Sequence, residues 1–157
     1  MSENYSSFEN ELETNGKLIY TNVGVSMMPL IRENRDVMVI EKLSGNPKKL
    51  DAVLFKRDGF TGRGKYIVHR IVKIRKDGKY FIAGDNCTGG EIVDKNNILG
   101  ILTAVVRDGK KINFSGFKYF MYLRFWCAPY RLRFFILKIK SGIRAFFAAV
   151  KYKLFKK

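Results

Sequence analysis

Apolar and polar residues alternate in short runs through the first two thirds of the chain, as they do in β-strands with one buried face. Asp77-Gly78 and Asp108-Gly109 each lie between two such runs, and Asp-Gly at that position is a hairpin signal. We therefore expect a mainly β fold, built as a small antiparallel domain. The pattern predicts strands over residues 17–23, 37–40, 52–55, 66–74, 79–83, 98–106 and 110–114.

A short helix is predicted before the first strand, over residues 6–14. Ser6 and Glu9 fit a capping box at its start, and Asn15-Gly16 fits a C-terminal stop. Residues 56–65 are rich in glycine and are predicted to form a loop that could flank a cleft.

Beyond residue 130 the apolar residues recur at steps of three and four, which predicts an amphipathic helix. Pro129 suits the first turn of that helix. The uncharged runs are too short for a membrane-spanning helix, which needs about twenty apolar residues. The predicted apolar face consists of Leu132, Phe135, Ile136, Ile139, Ile143, Phe146, Phe147, Val150 and Leu154.

The net charge of +16 is concentrated towards the C-terminal end. Residues 1–113 contain 19 Lys or Arg and all 14 acidic residues, whereas residues 114–157 contain 11 Lys or Arg and no acid. The sequence therefore predicts two parts, a β domain over residues 1–113 and a basic amphipathic helical tail over residues 114–157.

A basic amphipathic helix with phenylalanine on its apolar face is typical of binding to an anionic membrane surface. Two other interpretations stay open, namely packing of that face on the β domain and binding of a protein partner. Nucleic acid is disfavoured because the aromatic residues do not alternate with the cations, as a base-stacking surface requires. The residues predicted to bind the membrane are Phe135, Ile139, Phe146, Phe147, Lys138 and Arg144.

Few residues are suited to binding a metal or forming a disulfide. The chain has one histidine, and its two cysteines, Cys87 and Cys127, fit neither a zinc-ligand spacing nor a disulfide framework. We expect no metal or other cofactor, and reduced thiols. The polar start Met1-Ser2-Glu3-Asn4 lacks the apolar run of a secretory signal, so we expect a cytoplasmic or peripheral membrane protein.

Three short segments carry side chains suited to acyl transfer. Ser26 lies in Gly24-Val25-Ser26-Met27-Met28-Pro29, where glycine permits a tight turn and proline stiffens the exit. His69 lies in the predicted strand over residues 66–74, and Gly84-Asp85-Asn86 follows about fifteen residues later. A rigidly held serine, an imidazole and a carboxylate are the groups needed for base-assisted hydrolysis, although each alone is also an ordinary turn or core residue.

Between residues 17 and 107 the chain contains, in order, Ser26-Met27-Met28-Pro29, Asp36-Val37-Met38-Val39, Asp51-Ala52-Val53-Leu54-Phe55, His69-Arg70 and Gly84-Asp85-Asn86. This series resembles the sequence boxes of the type I signal peptidases. The His-Arg pair is similar to that of the branch found in the endoplasmic reticulum, in archaea and in some Gram-positive bacteria. The resemblance implies a small β peptidase fold that is shared with the LexA-like peptidases.

The resemblance implies a serine endopeptidase without a cofactor. Ser26 would attack the scissile carbonyl, and His69 would take its proton and deliver it to the leaving amine. Asp85 would orient His69 and stabilise the imidazolium. Glu91 and Asp94 stay open as alternative orienting acids, and Asp85 could instead hold its turn in place.

The resemblance also implies that the substrate, a leader or signal-type peptide, binds as an added strand close to Met27, Met28 and Pro29. Cleavage is expected at or near a membrane surface. One alternative is a degenerate peptidase fold that acts as a membrane- or partner-binding module. Another is a LexA-like self-processing regulator, although that group pairs its serine with lysine. Cys87 also stays open as a nucleophile.

Overall fold

The computed structural model describes residues 8–21, 23–60 and 65–155. These residues form an antiparallel β-sheet of eight strands, with a short helix before it and helices after it. The helices are α1 (Phe8–Asn15), α2 (Phe117–Tyr122) and α3 (Tyr130–Phe155), with a 3-10 turn at Lys95–Asn97 and a π-helical segment at Leu123–Cys127. The strands are β1 (Lys17–Thr21), β2 (Val37–Lys42), β3 (Ala52–Lys56), β4 (Tyr66–Ile74), β5 (Tyr80–Ala83), β6 (Glu91–Val93), β7 (Ile98–Arg107) and β8 (Lys110–Lys111).

The mainly antiparallel β fold and the C-terminal helix predicted from the sequence are confirmed. The helix predicted over residues 6–14 is α1, and its predicted cap, Ser6, lies outside the described residues. Part of the predicted loop over residues 56–65 also lies outside them. The sequence pattern missed β6 because three residues are too few to show an alternation.

The strands lie in the order β1-β2-β7-β3-β4-β5-β6, and β8 pairs with β7. β1 is an edge strand, so β1 and β4 are not hydrogen-bonded neighbours. The serine turn lies in the connection between β1 and β2.

β3 is buried on both faces and divides the interior into two cores. Ala52 and Leu54 belong to one core, while Val53 and Phe55 belong to the other, because successive side chains of a strand point to opposite faces. The register with β4 places His69 opposite Val53 and Arg70 opposite Ala52. His69 and Arg70 therefore point to opposite sides of the sheet.

Contacts cross the predicted boundary at residue 113. Cys127, Arg133 and Leu137 are buried, and each is at most 7% exposed. The predicted tail thus begins with a part that packs on the β domain, up to about the second turn of α3.

The apolar face predicted for α3 is exposed to solvent and does not pack on the β domain. Phe135 is 62% exposed, and Phe146 and Phe147 are each 65% exposed. The side chain of Leu154 lies outside the described residues. Among the described helices, none is long and apolar enough to cross a membrane.

Candidate active site

The serine turn is held by its first methionine. Met27 is fully buried in the core that also contains Met38, and its carbonyl accepts a hydrogen bond from Ile31 N at 3.0 Å. Gly24 has a φ of 118°, which L side chains rarely adopt. Ser26 is half-buried at the middle of this turn. The turn therefore fixes the serine backbone through packing, as a nucleophile requires.

The turn containing Gly84 and Asn86 docks directly on the serine turn. Asn86 N donates to Ser26 O at 2.8 Å, and Asn86 Nδ2 donates to Val25 O at 3.1 Å. These two bonds bring together segments sixty residues apart in the sequence.

Gly84 is the point at which the predicted site residues meet. A Cβ atom at this position would lie 2.6 Å from Ser26 O, 3.0 Å from His69 Nε2 and 2.6 Å from Cys87 Sγ. All three distances are shorter than normal van der Waals contact. Glycine is therefore needed here because the serine backbone and the imidazole both approach the main chain closely.

His69 is buried and lacks a partner for one of its nitrogens. Its side chain is 7% exposed and its ring lies 6.1 Å from that of Phe55. Nδ1 has no hydrogen-bond partner among the described residues. Burial lowers the pKa of His69 to about 4, against a smaller opposing effect of the Glu91 charge. The imidazole is therefore neutral at neutral pH.

Asp85 does not orient His69, which differs from the first prediction for this carboxylate. It is fully buried, and Arg70 donates to it through Nε at 2.9 Å and through Nη2 at 2.7 Å. Tyr122 donates a further hydrogen bond through its hydroxyl at 2.7 Å. The alternative interpretation, in which Asp85 holds its turn in place, fits this geometry.

The two alternative acids are also bound elsewhere. Arg57 Nε donates to Glu91 at 2.7 Å, and Asp94 accepts from Asn96 N at 3.2 Å in the cap of the 3-10 turn. Of these two, Glu91 has the larger influence on His69, since its charge raises the pKa of the imidazole through space. The described residues thus bring the Ser26 carbonyl and His69 Nε2 close to the same glycine, and none of these three carboxylates makes a hydrogen bond to His69.

A cavity of about 120 Å³ adjoins Ser26. The prediction that Met27, Met28 and Pro29 bind the substrate is wrong for Met27, which is buried in the core. Met28 is 38% exposed, and Pro29 lines a different cavity beside α2. The cavity at Ser26 is lined by Phe8, Tyr20, Val23, Ser26, Met38, Leu54, Tyr66, Ile67 and Val68.

Cys87 lies beside the same site. A Cβ atom at Gly84 would lie close to both the Cys87 thiol and His69 Nε2. Burial raises the pKa of the Cys87 thiol, which disfavours the thiolate that a cysteine nucleophile needs. The burial of the Cys87 thiol therefore favours Ser26 as nucleophile.

Residues of the helical tail form hydrogen bonds with Gly84 and Asp85 that were not predicted from the sequence. Trp126 Nε1 donates to Asp85 O at 3.0 Å, and Arg133 donates to Gly84 O at 3.3 Å and to the Asp85 carboxylate at 3.4 Å. A weak signal exists, because Tyr130, Arg133 and Leu137 form a second stripe at helical spacing. The longer apolar stripe of α3 conceals it.

Comparison of the chain with models of protein families, with curated proteins and with solved structures gives no match. The functional assignment therefore depends on the residues and on their geometry. Among the described residues no group of three or more His, Cys, Asp or Glu side chains could hold a metal ion.

Proposed function

We propose that the chain is a serine endopeptidase that resembles type I signal peptidases and cleaves a leader or signal-type peptide. The observation that carries the proposal is the convergence at Gly84, where the backbone of Ser26 and Nε2 of His69 approach one glycine from two separate segments. A nucleophile and its base have to lie on neighbouring segments, and the shared approach to Gly84 makes the segments of Ser26 and His69 neighbours.

In the proposed reaction Ser26 Oγ attacks the scissile carbonyl while its proton passes to Nε2 of His69. The imidazolium then protonates the amine as the C–N bond breaks, which leaves an acyl group on Ser26. A water molecule, deprotonated by His69, releases the acid product. The negative charges of Glu91 and Asp85 favour the imidazolium through space.

The cavity at Ser26 supports a peptide as the substrate. Its volume of about 120 Å³ suits one small side chain, and its lining is mostly apolar. A small apolar residue next to the scissile bond would fill it.

The proposal predicts the pH dependence of cleavage. Because only neutral imidazole accepts the serine proton, activity should rise with pH through the pKa of His69, at about 4, and level off above it. An activity that rises instead between pH 6 and 7 would mean that the catalytic base has an ordinary histidine pKa.

The test of the proposal is labelling of the intact protein with a serine-reactive probe, with the modified residue located by mass spectrometry. Wild type should be labelled at Ser26, and Ser26→Ala should lose labelling without a change in thermal unfolding. Ser44→Ala is the matched control because Ser44 is an exposed serine in the connection after β2, far from the site in sequence. Labelling of Ser26→Ala at the wild-type rate would remove Ser26 from the mechanism.

We also propose that α3 holds the protein on an anionic membrane surface. Its apolar face is exposed, and cations such as Lys138 and Arg144 are exposed on the same helix. Buried phenylalanine and cations near an anionic surface both contribute to such binding, the latter by about 1 kcal/mol each. The remaining alternative is a module that binds membranes without catalysis.

Vesicle binding tests the role of α3. The full chain should bind anionic vesicles more strongly than neutral ones, and salt should weaken that binding by screening. Phe135→Ser with Phe146→Ser should reduce binding even at low salt. Phe60→Ser is the control, since Phe60 is 53% exposed in the β3–β4 connection. Equal binding to neutral vesicles would contradict the electrostatic part of the proposal.

A further inference from the structure

α1 lies across the cavity that adjoins Ser26. Its first residue, Phe8, lines this cavity together with Tyr20 of β1 and Tyr66 of β4. Tyr20 and Tyr66 lie on strands that are not paired in the sheet, and both line the same cavity as Ser26. A peptide side chain that enters this cavity would therefore contact the two tyrosines.

Phe8 fills the space between the two tyrosines. Its ring is stacked on Tyr66 with the centroids 4.9 Å apart, and its edge meets the ring of Tyr20 at 5.0 Å. Both arrangements are the favourable ones for aromatic pairs. Tyr20 and Tyr66, which we call the tyrosine clamp, therefore bind an aromatic side chain in this structure.

Glu9 adds a charged contact next to the clamp. Its carboxylate accepts a hydrogen bond from the Tyr66 hydroxyl at 2.6 Å and from Lys56 Nζ at 2.7 Å. Lys56 and Glu9 are each about one-third exposed, at 35% and 31% of the side chain. The cleft thus recognises an aromatic ring and a neighbouring carboxylate, both supplied by α1.

The rest of α1 contacts the core and β2 rather than the tyrosine clamp. Leu12 is buried in the core, and Glu13 pairs with Lys42 in an exposed salt bridge. The helix ends at Asn15, and Gly16 follows with a φ of 68°. Gly16 O accepts a hydrogen bond from Lys42 N at 2.8 Å, so displacement of α1 would have to begin on the N-terminal side of this glycine.

We infer that the tyrosine clamp and Lys56 form a recognition subsite of the peptidase cleft, which Phe8 and Glu9 of the same chain occupy. The ligand class is a peptide with an aromatic side chain next to a carboxylate, and it must displace α1 to bind. The inference rests on the proposed function for its link to cleavage, but the subsite itself is defined by the aromatic and ionic contacts.

Binding of a peptide to the full-length protein tests the inference independently of catalysis. The probe is a fluorescent peptide that copies residues 3–12, followed by anisotropy in a Ser26→Ala background. Phe8→Ala should raise the affinity at least tenfold because it vacates the clamp. Phe8→Tyr should leave the affinity near that of the parent because it keeps a ring on Tyr66. A probe whose phenylalanine is replaced by alanine should not show the gain.

The charged contact is tested with a matched pair on α1. Glu9→Gln should raise the affinity two- to threefold, while Glu13→Gln should have no effect because its carboxylate pairs with Lys42 instead. Lys56→Gln should remove the preference for a probe that retains the acid. Glu9→Gln also decides the matter if Phe8→Ala fails to fold, since it leaves the aromatic packing in place.

The two proposals fail in different ways. If Ser26 is not labelled by the serine probe but Phe8→Ala gains peptide affinity, the subsite stands and the hydrolytic function falls. If Ser26 is labelled but neither Phe8→Ala nor Glu9→Gln changes peptide affinity in a folded protein, α1 is an ordinary structural helix and the inference is overturned.

Discussion

His69 and Arg70 are consecutive residues of β4, both are buried, and the regions on the two sides of the strand are built differently. Arg70 makes three hydrogen bonds to the Asp85 side chain, two through Nε and one through Nη2, and Nη1 donates to Leu50 O at 2.7 Å. His69, one residue earlier, has a buried nitrogen that bonds to no described residue.

The difference separates a structural region from a candidate functional one. Buried polar groups are normally hydrogen-bonded, because leaving one unpaired costs about 1–3 kcal/mol. Arg70 itself satisfies this rule and stabilises the turn at Asp85, whereas Nε of Arg133, which also contacts Asp85, has no partner among the described residues. The His69 side violates it beside Ser26, and violations of this kind are concentrated at sites where the group has a chemical task.

The largest expected effect is the loss of activity on replacing His69. His69→Leu keeps the side-chain volume but removes the base, so cleavage or probe labelling should fall by about 10³-fold. Its free energy of unfolding should stay equal or increase, because an unpaired buried nitrogen is removed. Activity near the wild-type value in a folded His69→Leu protein would make the histidine structural.

Replacing Arg70 should have the opposite profile, with loss of stability. Arg70→Met leaves the buried Asp85 carboxylate without its main partner, which should lower the free energy of unfolding by about 3–5 kcal/mol. The control is Arg35→Met, whose salt bridge with Asp108 is exposed on both sides and should contribute little to stability because solvent screens it. Both values can be measured by urea unfolding. Similar losses in the two variants would contradict the structural role of Arg70.

The sequence predicted the contacts of Arg70 and Asp85 less well than the positions of Ser26 and His69. The boxes located Ser26, His69 and Gly84-Asp85-Asn86, because turn residues and alternation are local signals. The partner of Asp85 was missed, since Arg70 on β4 and Asp85 in the turn after β5 become neighbours only through the register of the sheet. A box motif gives the order of the residues but not which carboxylate reaches which base.

The helical tail was predicted in part for the same reason. The exposed stripe of α3 follows from helical periodicity alone. The buried contacts of Trp126 and Arg133 depend on how the π-helical segment and Pro129 orient α3 against the sheet, and periodicity carries no such information. Likewise, a predicted helix before β1 gave no sign that Phe8 would lie in the cleft.

The pH dependence of stability sharpens the comparison further. His69 has a pKa of about 4 in the folded protein and about 6.5 when unfolded, so the unfolded state binds more protons between these values. Stability should therefore fall by about 3 kcal/mol as the pH decreases from 6.5 to 4, and this residue should have no effect above pH 6.5. His69→Leu should lack that part of the pH dependence. Parallel curves for the two proteins would mean that His69 is not desolvated.

The smallest effect concerns Arg133, which links the two regions. Its guanidinium donates to the Asp85 carboxylate, which is the partner of Arg70. It also donates to the carbonyl of Gly84, the residue that His69 and Ser26 approach closely. Arg70 remains on Asp85 when Arg133 is replaced, so Arg133→Met should cost only about 1 kcal/mol of stability. Arg131→Met, on the exposed side of the same helix, is the control and should cost nothing measurable.

Arg133→Met also tests whether the tail positions the site or only adds stability. If the bond to Gly84 O holds the glycine against the imidazole, the rate of Ser26 labelling should decrease in Arg133→Met at a temperature where the protein is fully folded. Arg133→Lys should restore part of that rate, because an ammonium can still donate to the carbonyl. An unchanged labelling rate, together with the small loss of stability, would show that Arg133 only stabilises Asp85. The arrangement of His69 and Ser26 would then not depend on α3.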